Sequence, residues 1–262
     1  MWRSRRGRRP ILVYQMGKVA SQSVARSLDV NGVFNYQLHH LSSPAMAQAE
    51  QVYGDNWDPR RGGATHLWRS QWVRRQIARH PQDRWKIITI VRDPVARNVS
   101  SFFQVADIQL GLDLSRVSPI EAADQLGHVF LHRYRDHDVP LRWLDEELRA
   151  VFDVDVYSCP FSRTQGFARY SSERADVLLL RYDDLTEVFD LAVSEFLAVP
   201  ATLAVTVNTA ATKSYADVYA ATKHELVLPA DYLNRMYDSS YARHFWDSPE
   251  IAAMRSRWEA GR

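Results

Sequence analysis

The chain has 262 residues, a formal net charge of +2, 46% hydrophobic and 24% charged residues, and one cysteine, Cys159. That balance predicts an ordinary globular core, while a lone cysteine excludes an internal disulfide and a multi-cysteine zinc site. The near-neutral charge gives no argument for nucleic acid as a partner, and no uncharged apolar run approaches the roughly 20 residues that span a bilayer.

The first nine residues form a basic arm with five arginines between Arg3 and Arg9. Such an arm reads as a solvated, disordered tail, or as a contact for an anionic membrane face or polymer. It lacks the apolar stretch and cleavage site of a secretory signal. The expected location is therefore cytoplasmic, at the inner membrane face if the arm docks there. Residues 10–262 are expected to form one domain.

Pro10 to Tyr14 is an apolar run of strand length, broken by Gly17, after which Val19 to Leu28 carries a helical pattern. Val33 to Leu38 predicts a second strand and Ala64 to Trp68 a weaker third. Trp85 to Val91 is the strongest strand, apolar enough to be buried on both faces. It runs into Arg92-Asp93-Pro94, where the proline fits a helix start, and Val95 to Phe103 is helical. Further on, Val151 to Tyr157 and Val177 to Leu180 read as strands. Leu141 to Arg149, Leu185 to Leu197 and Asp231 to Arg243 read as helices. Alternating strands and helices predict an α/β domain with a mostly parallel sheet flanked by helices. Ligands of such sheets sit beyond the carboxyl ends of the strands.

Two loops fall at such ends. Gly17-Lys18-Val19-Ala20-Ser21-Gln22-Ser23 joins the first strand to the first helix. Unpaired N–H groups at a helix start bind anions, glycine permits close approach, and lysine, hydroxyl and amide groups add donors, as a 5′-phosphate requires. The loop departs from the Walker pattern: Leu12 stands where a glycine is wanted and Val19 where Ser or Thr would hold magnesium. No metal is therefore expected. In the second loop Arg92 and Ser100 are eight residues apart, placed to meet on a second phosphate. The alternative pairs Arg92 with Asp93 and leaves Ser100 incidental.

Residues Tyr14 to Ser21 resemble the 5′-phosphosulfate loop of Golgi carbohydrate sulfotransferases, and Val91-Arg92-Asp93-Pro94 with Ser100 resembles their 3′-phosphate loop. The Arg-to-Ser spacing is also similar to that of cytosolic sulfotransferases. Leu179 to Leu185 is similar to an Arg-Tyr-Glu-Asp-Leu stretch found downstream in many members. The Val154 to Tyr157 and Pro160-Phe161 region resembles bacterial proteins assigned to capsular or surface polysaccharide synthesis. Of the Asn-Lys-Trp-Tyr-Ser signature of those proteins, only Lys213 and Tyr215 are kept here.

The resemblance implies a sulfotransferase-like fold related to P-loop NTPases. It implies the donor 3′-phosphoadenosine-5′-phosphosulfate (PAPS, leaving as PAP) and a carbohydrate or glycolipid acceptor. It places Lys18 on the leaving-group side, Gly17 to Ser23 with Arg92 and Ser100 on the donor, and Lys213 near the 3′-phosphate. His66, in Ala64-Thr65-His66, resembles the Lys-Thr-His strand end that carries the base in cytosolic members, with Ala64 in place of the lysine. His39, His40 and Asp107 are its rivals, and Trp68 and Trp72 are candidate acceptor contacts. Two other readings stay open: a nucleotide-dependent kinase of related fold, and a non-catalytic nucleotide-binding module of polymer assembly.

Overall fold

The computed structural model of the protein describes residues 9–55, 63–109, 122–204 and 216–259. The elements are, in order, β1 (Ile11–Tyr14), α1 (Ser21–Val30), β2 (Asn35–Leu38), α2 (Ser43–Asp55), α3 (Gly63–Arg79), β3 (Trp85–Val91), α4 (Pro94–Gln109), α5 (Ala122–Arg133) and α6 (Val139–Trp143). A π-helical stretch, Leu144–Arg149, carries α6 into α7 (Ala150–Phe152). Then come β4 (Phe167–Ser171), β5 (Ala175–Arg181), α8 (Leu185–Leu197), α9 (Ala216–Glu225), α10 (Ala230–Tyr237), α11 (Ser240–Phe245) and α12 (Ser248–Ser256). Among the described residues no helix is long and apolar enough to cross a membrane.

The five strands lie in the order β2-β1-β3-β5-β4. β2, β1, β3 and β5 are parallel and β4 is antiparallel to β5. In β1, β3 and β5 nearly every side chain is buried, as an interior parallel sheet covered on both faces demands. The exception in β3 is Lys86, whose ammonium donates to Phe196 O at 2.8 Å and covers the Phe196 ring. β4 exposes Arg169 and Ser171, the half-polar pattern of an edge strand. Helices cover both faces of this single α/β domain. From β1 the chain steps to β2 on one side, and on the other side β1 pairs with β3. The carboxyl end of β1 is thus the crevice where ligands of open α/β sheets bind.

Three expected elements differ. Ala64 to Trp68 is the start of α3, not a strand; His66, Ser70, Val73 and Ile77 recur at helical spacing, and Ser70 and Val73 are buried. Val151 to Tyr157 is the end of α7 followed by a 3₁₀ turn. Leu144, Leu148 and Phe152 keep the helical period until Asp153 turns to φ 56° and ends it. Asp231 to Arg243 is two helices, parted at Ser239, whose hydroxyl accepts from Ala242 N–H to cap α11.

The end of β5 is tied to α12 by one guanidinium. Arg181, 5% exposed, grips Asp184 through Nε and Nη2, and its Nη1 donates to Glu250 Oε1 at 2.7 Å. Glu250 also closes a capping box with Asp247 at the start of α12. Space for the Asp184 carboxylate exists because residue 166 has no side chain: Gly166 has φ +70°, and a Cβ there would meet Asp184 at 2.6–2.8 Å. Gly166→Ala should displace Asp184 from Arg181 and lower stability by about 3 kcal/mol, read as a shifted urea midpoint with an unchanged slope.

Candidate functional site

Among the described residues four non-glycine residues have positive φ: Lys18, Ala20, Asp153 and Ala198. Asp153 and Ala198 are helix C-caps, a common left-handed position. Lys18 and Ala20, both at φ 63°, have no such excuse, and Gly17 beside them is at φ 82°. Each non-glycine residue so placed costs about 1–2 kcal/mol, so something must hold the loop in this shape.

Two arginines do. Arg97 of α4, 5% exposed, donates through Nη2 to Met16 O at 2.9 Å and through Nε to Gly17 O at 3.4 Å. Arg92, at the end of β3, donates through Nη1 to Lys18 O at 2.7 Å. Three successive carbonyls are thereby fixed on arginines, and Gly17 N–H donates to Gln15 Oε1. α1 then starts at Ser21, with Ala20 as its N-cap and no side-chain cap, so the positive end of the helix faces the loop. Ser21 is spoken for differently, its Oγ accepting from Gln37 Nε2 at 2.6 Å. Gln22 is exposed, while Val19 and Ser23 are buried.

The charge balance here is unusual. The other Arg97 acceptors are neutral: Asn98 Oδ1, Tyr134 OH and Asp136 O. Arg92 stacks over the Tyr182 ring at 4.4 Å, and its main chain is clasped by Tyr241, which donates to Arg92 O at 2.8 Å. Among the described residues neither guanidinium has an ion pair. Asp93 does not supply one: it is buried, and its Oδ1 accepts from Val95 N, Ala96 N and Tyr237 OH at the start of α4. Burial pushes the Asp93 carboxyl up. Ser100 is half-buried two turns into α4.

Beside this loop lies a histidine cluster at the end of β2. The rings of His39 and His66 are 5.0 Å apart and those of His39 and His40 are 6.2 Å apart. His39 Nδ1 is 2.9 Å from Gln15 O and 3.0 Å from Gln15 Nε2. Its Cε1 would be 3.9 Å from a Cβ on Gly17, so the ring lies against the loop. Desolvation, aided by the neighbouring His66 and His40, pulls its pKa down to about 3. His66 is partly exposed, and its Nδ1 is 3.1 Å from Gln37 O. A carbonyl only accepts, so Nδ1 carries the proton and Nε2 keeps a lone pair. Burial, with smaller contributions from Arg69 and His40, lowers its pKa as well. Among the described residues no group of three or more His, Cys, Asp or Glu side chains is arranged to hold a metal ion.

The backbone of this cluster is held from the π-helical stretch. Glu147, 2% exposed, accepts from Leu41 N at 2.8 Å, Ser42 N at 2.9 Å and Ser42 Oγ at 2.9 Å, and from Tyr14 OH. Burial opposes its charge, but the neighbouring His40, with the Tyr14, Ser42 and Leu41 donors, outweighs it and holds the carboxyl below its ordinary range. His40 Nδ1 faces Glu147 at 3.9 Å, a Coulombic contact too long for a hydrogen bond. Trp143 Nε1 donates to His39 O at 3.1 Å.

The structure thus brings Gly17 to Ser23, Arg92 and the histidines to one end of the sheet. His66 reaches it from a helix rather than from a strand end, because α3 lays its first turn against Gln37. Lys213 and the Asp107 side chain lie outside the described residues. Sequence reading missed Arg97 and Glu147. Their signal was a charge at an apolar position of a helix: Arg97 between Val95 and Val99, Glu147 between Leu144 and Leu148.

Residues 125–247 match the model of the NKWYS family, described as "Putative capsular polysaccharide synthesis protein". The chain is similar to that family across a span that carries Glu147, Arg181 and Tyr241. Loop 15–23 and Arg92 stand upstream of it. No curated protein and no solved structure matches the chain significantly.

The histidines set a pH dependence. With its pKa lowered to about 3, His39 binds its proton more weakly folded than unfolded, where the value is near 6.5. The unfolded chain therefore gains protons first as pH falls, and stability drops from about pH 6.5 downward. Between pH 6.5 and 5 the expected loss from this residue is about 1–2 kcal/mol. Urea unfolding across that range should show it, and His39→Asn, unable to titrate, should flatten the slope.

Proposed function

We propose that this site transfers a sulfuryl group from PAPS to a hydroxyl of a surface-polysaccharide precursor. The observation that carries the reading is the pair of guanidinium groups, Arg97 buried and Arg92 partly so, that converge on loop 16–18 and, among the described residues, have only neutral hydrogen-bond partners. A buried cation without a carboxylate is costly unless an anion accompanies it. The uncapped N-terminus of α1 adds partial positive charge at the same place. A donor with phosphate groups at both ends of its ribose suits a site with one cationic loop after β1 and a second after β3. The similarity to capsular polysaccharide synthesis proteins supports a saccharide acceptor.

In this reading the residues have distinct roles. The N–H groups of the first turn of α1, with Lys18 and Ser23, hold the 5′-phosphosulfate, and Arg92 with Ser100 takes the 3′-phosphate. The acceptor oxygen forms its bond to sulfur as the bridging bond to the 5′-phosphate breaks, and the negative charge settles on that phosphate. Lys18 and the helix N-terminus stabilise it there. The hydroxyl proton passes to a histidine. His66 suits this best: Gln37 O fixes the tautomer, leaving Nε2 unprotonated, and the ring is only partly buried. His39, with a pKa near 3, is too weak a base at neutral pH.

Titration calorimetry with PAP, ADP and ATP·Mg tests the donor. PAP should bind, ADP more weakly, and Arg92→Ala should weaken PAP by roughly 2–3 kcal/mol while leaving ADP nearly unchanged. Binding of ATP·Mg without binding of PAP would overturn the reading in favour of a kinase. His66→Ala should keep PAP affinity and lower transfer by roughly a hundredfold or more; retained transfer would move the base to His40.

A further inference from the structure

The helical setting of His66 changes which residues act beside it. On a strand Trp68 would share its face. On α3 a separation of two residues puts Trp68 about 200° round the axis, whereas Arg69, one turn on, stands above His66. Arg69 is partly buried, with its guanidinium 5.4 Å over the ring of Tyr36. Its Nε is enclosed and, among the described residues, has no hydrogen-bond partner. His40 Nδ1 is enclosed in the same neighbourhood, where it faces Glu147 Oε1 at 3.9 Å. Arg69 and His40 are both near enough to His66 to disfavour its protonation. α3 itself contains four arginines and no Asp or Glu.

Enclosed donors without acceptors are rare because each costs about 1–3 kcal/mol. A ligand oxygen that meets them recovers that cost. A guanidinium backed by an aromatic ring is held flat, in the geometry that grips a carboxylate through two N–H groups. Side chains one helical turn apart are separated by about 5–6 Å at Cβ, the scale of one sugar ring.

We propose that Arg69 forms an acidic-sugar subsite, so that the acceptor is a carboxylate-bearing saccharide whose carboxylate sits on Arg69 while a hydroxyl of the same or the next sugar meets His66 Nε2. This rests on the transferase reading above for its chemistry, but the subsite itself is testable without turnover.

The probe is an oligogalacturonate and its neutral methyl ester, titrated by calorimetry into the protein with and without saturating PAP. The acid should bind ten- to a hundredfold more tightly than the ester. Arg69→Ala should erase that preference and Arg69→Lys should keep only part of it, since an ammonium lacks the fork. PAP affinity within about twofold of the parent would show that both variants are folded. Arg75→Ala, an exposed arginine on the same helix, should keep the preference. The subsite is overturned if acid and ester bind alike, if the preference survives Arg69→Ala, or if Arg75→Ala removes it equally. Arg69-dependent sedimentation with anionic vesicles, without preference between the two oligomers, would also overturn it by assigning Arg69 to a membrane surface. Failure of PAP to bind sinks the transferase reading alone, since an Arg69-dependent preference for the acid would still stand.

Discussion

Arg97 is a cation placed where the fold would otherwise put an apolar side chain, and the shape of the site depends on it. Its guanidinium turns the carbonyls of Met16 and Gly17 toward α4, and Arg92 does the same for Lys18 O. A loop whose carbonyls are fixed on one side is left to offer its N–H groups elsewhere. The left-handed residues Lys18 and Ala20 are the conformational cost of that arrangement. At about 1–2 kcal/mol each, they are within what charge-assisted hydrogen bonds of about 1.5–3 kcal/mol apiece can offset. The strain is thus a consequence of how the loop is held, and it sets this connection apart from an ordinary strand–turn–helix link.

The same logic is repeated, with the sign reversed, on the far side of β1. Glu147 is a buried anion that grips main-chain N–H groups of Leu41 and Ser42, just past His39 and His40. The π-helical stretch Leu144–Arg149 is what departs from a regular helix between Trp143 and Ala150, and Glu147 lies within it. Trp143, just before that stretch, holds His39 O. One element therefore fixes the histidine-bearing turn at two points, while Tyr14 links it to the strand that leads into the anion loop. The loop after β1 and the turn after β2 are positioned by buried ions of opposite charge, so neither can shift without exposing a charge to the core.

Much of this was legible in the sequence. β3 and α8 were readable to the residue, because long runs of apolar side chains with consistent period leave one interpretation. Both loops were found through glycine, lysine and arginine at strand ends, since those residue types carry their chemistry wherever the chain puts them. The setting of His66 was not legible. Five residues, Ala64 to Trp68, are too few to separate a period of 2 from one of 3.6, and the buried positions that decide it, Ser70 and Val73, lie beyond them. β4 was missed because Arg169 interrupts it and edge strands tolerate polar residues. Arg97 and Glu147 were hidden for a deeper reason: their partners are mainly backbone atoms far along the chain, and a backbone carbonyl leaves no mark in a sequence.

The division of labour along the chain bears on what the family similarity means. The matched span, residues 125–247, holds Glu147 and the elements that support the site from below: Arg181 with Asp184 at the end of β5, Tyr182 under the Arg92 guanidinium, and Tyr241 clasping the Arg92 main chain. The residues to which the proposed chemistry falls, Lys18, His39, His40, His66, Arg69 and Arg92, lie upstream of it. The matched span thus includes the elements that hold Arg92 in place. For the first half, the support for the proposed chemistry is the charges that converge on loop 16–18 and the helix that brings His66 and Arg69 to the same side.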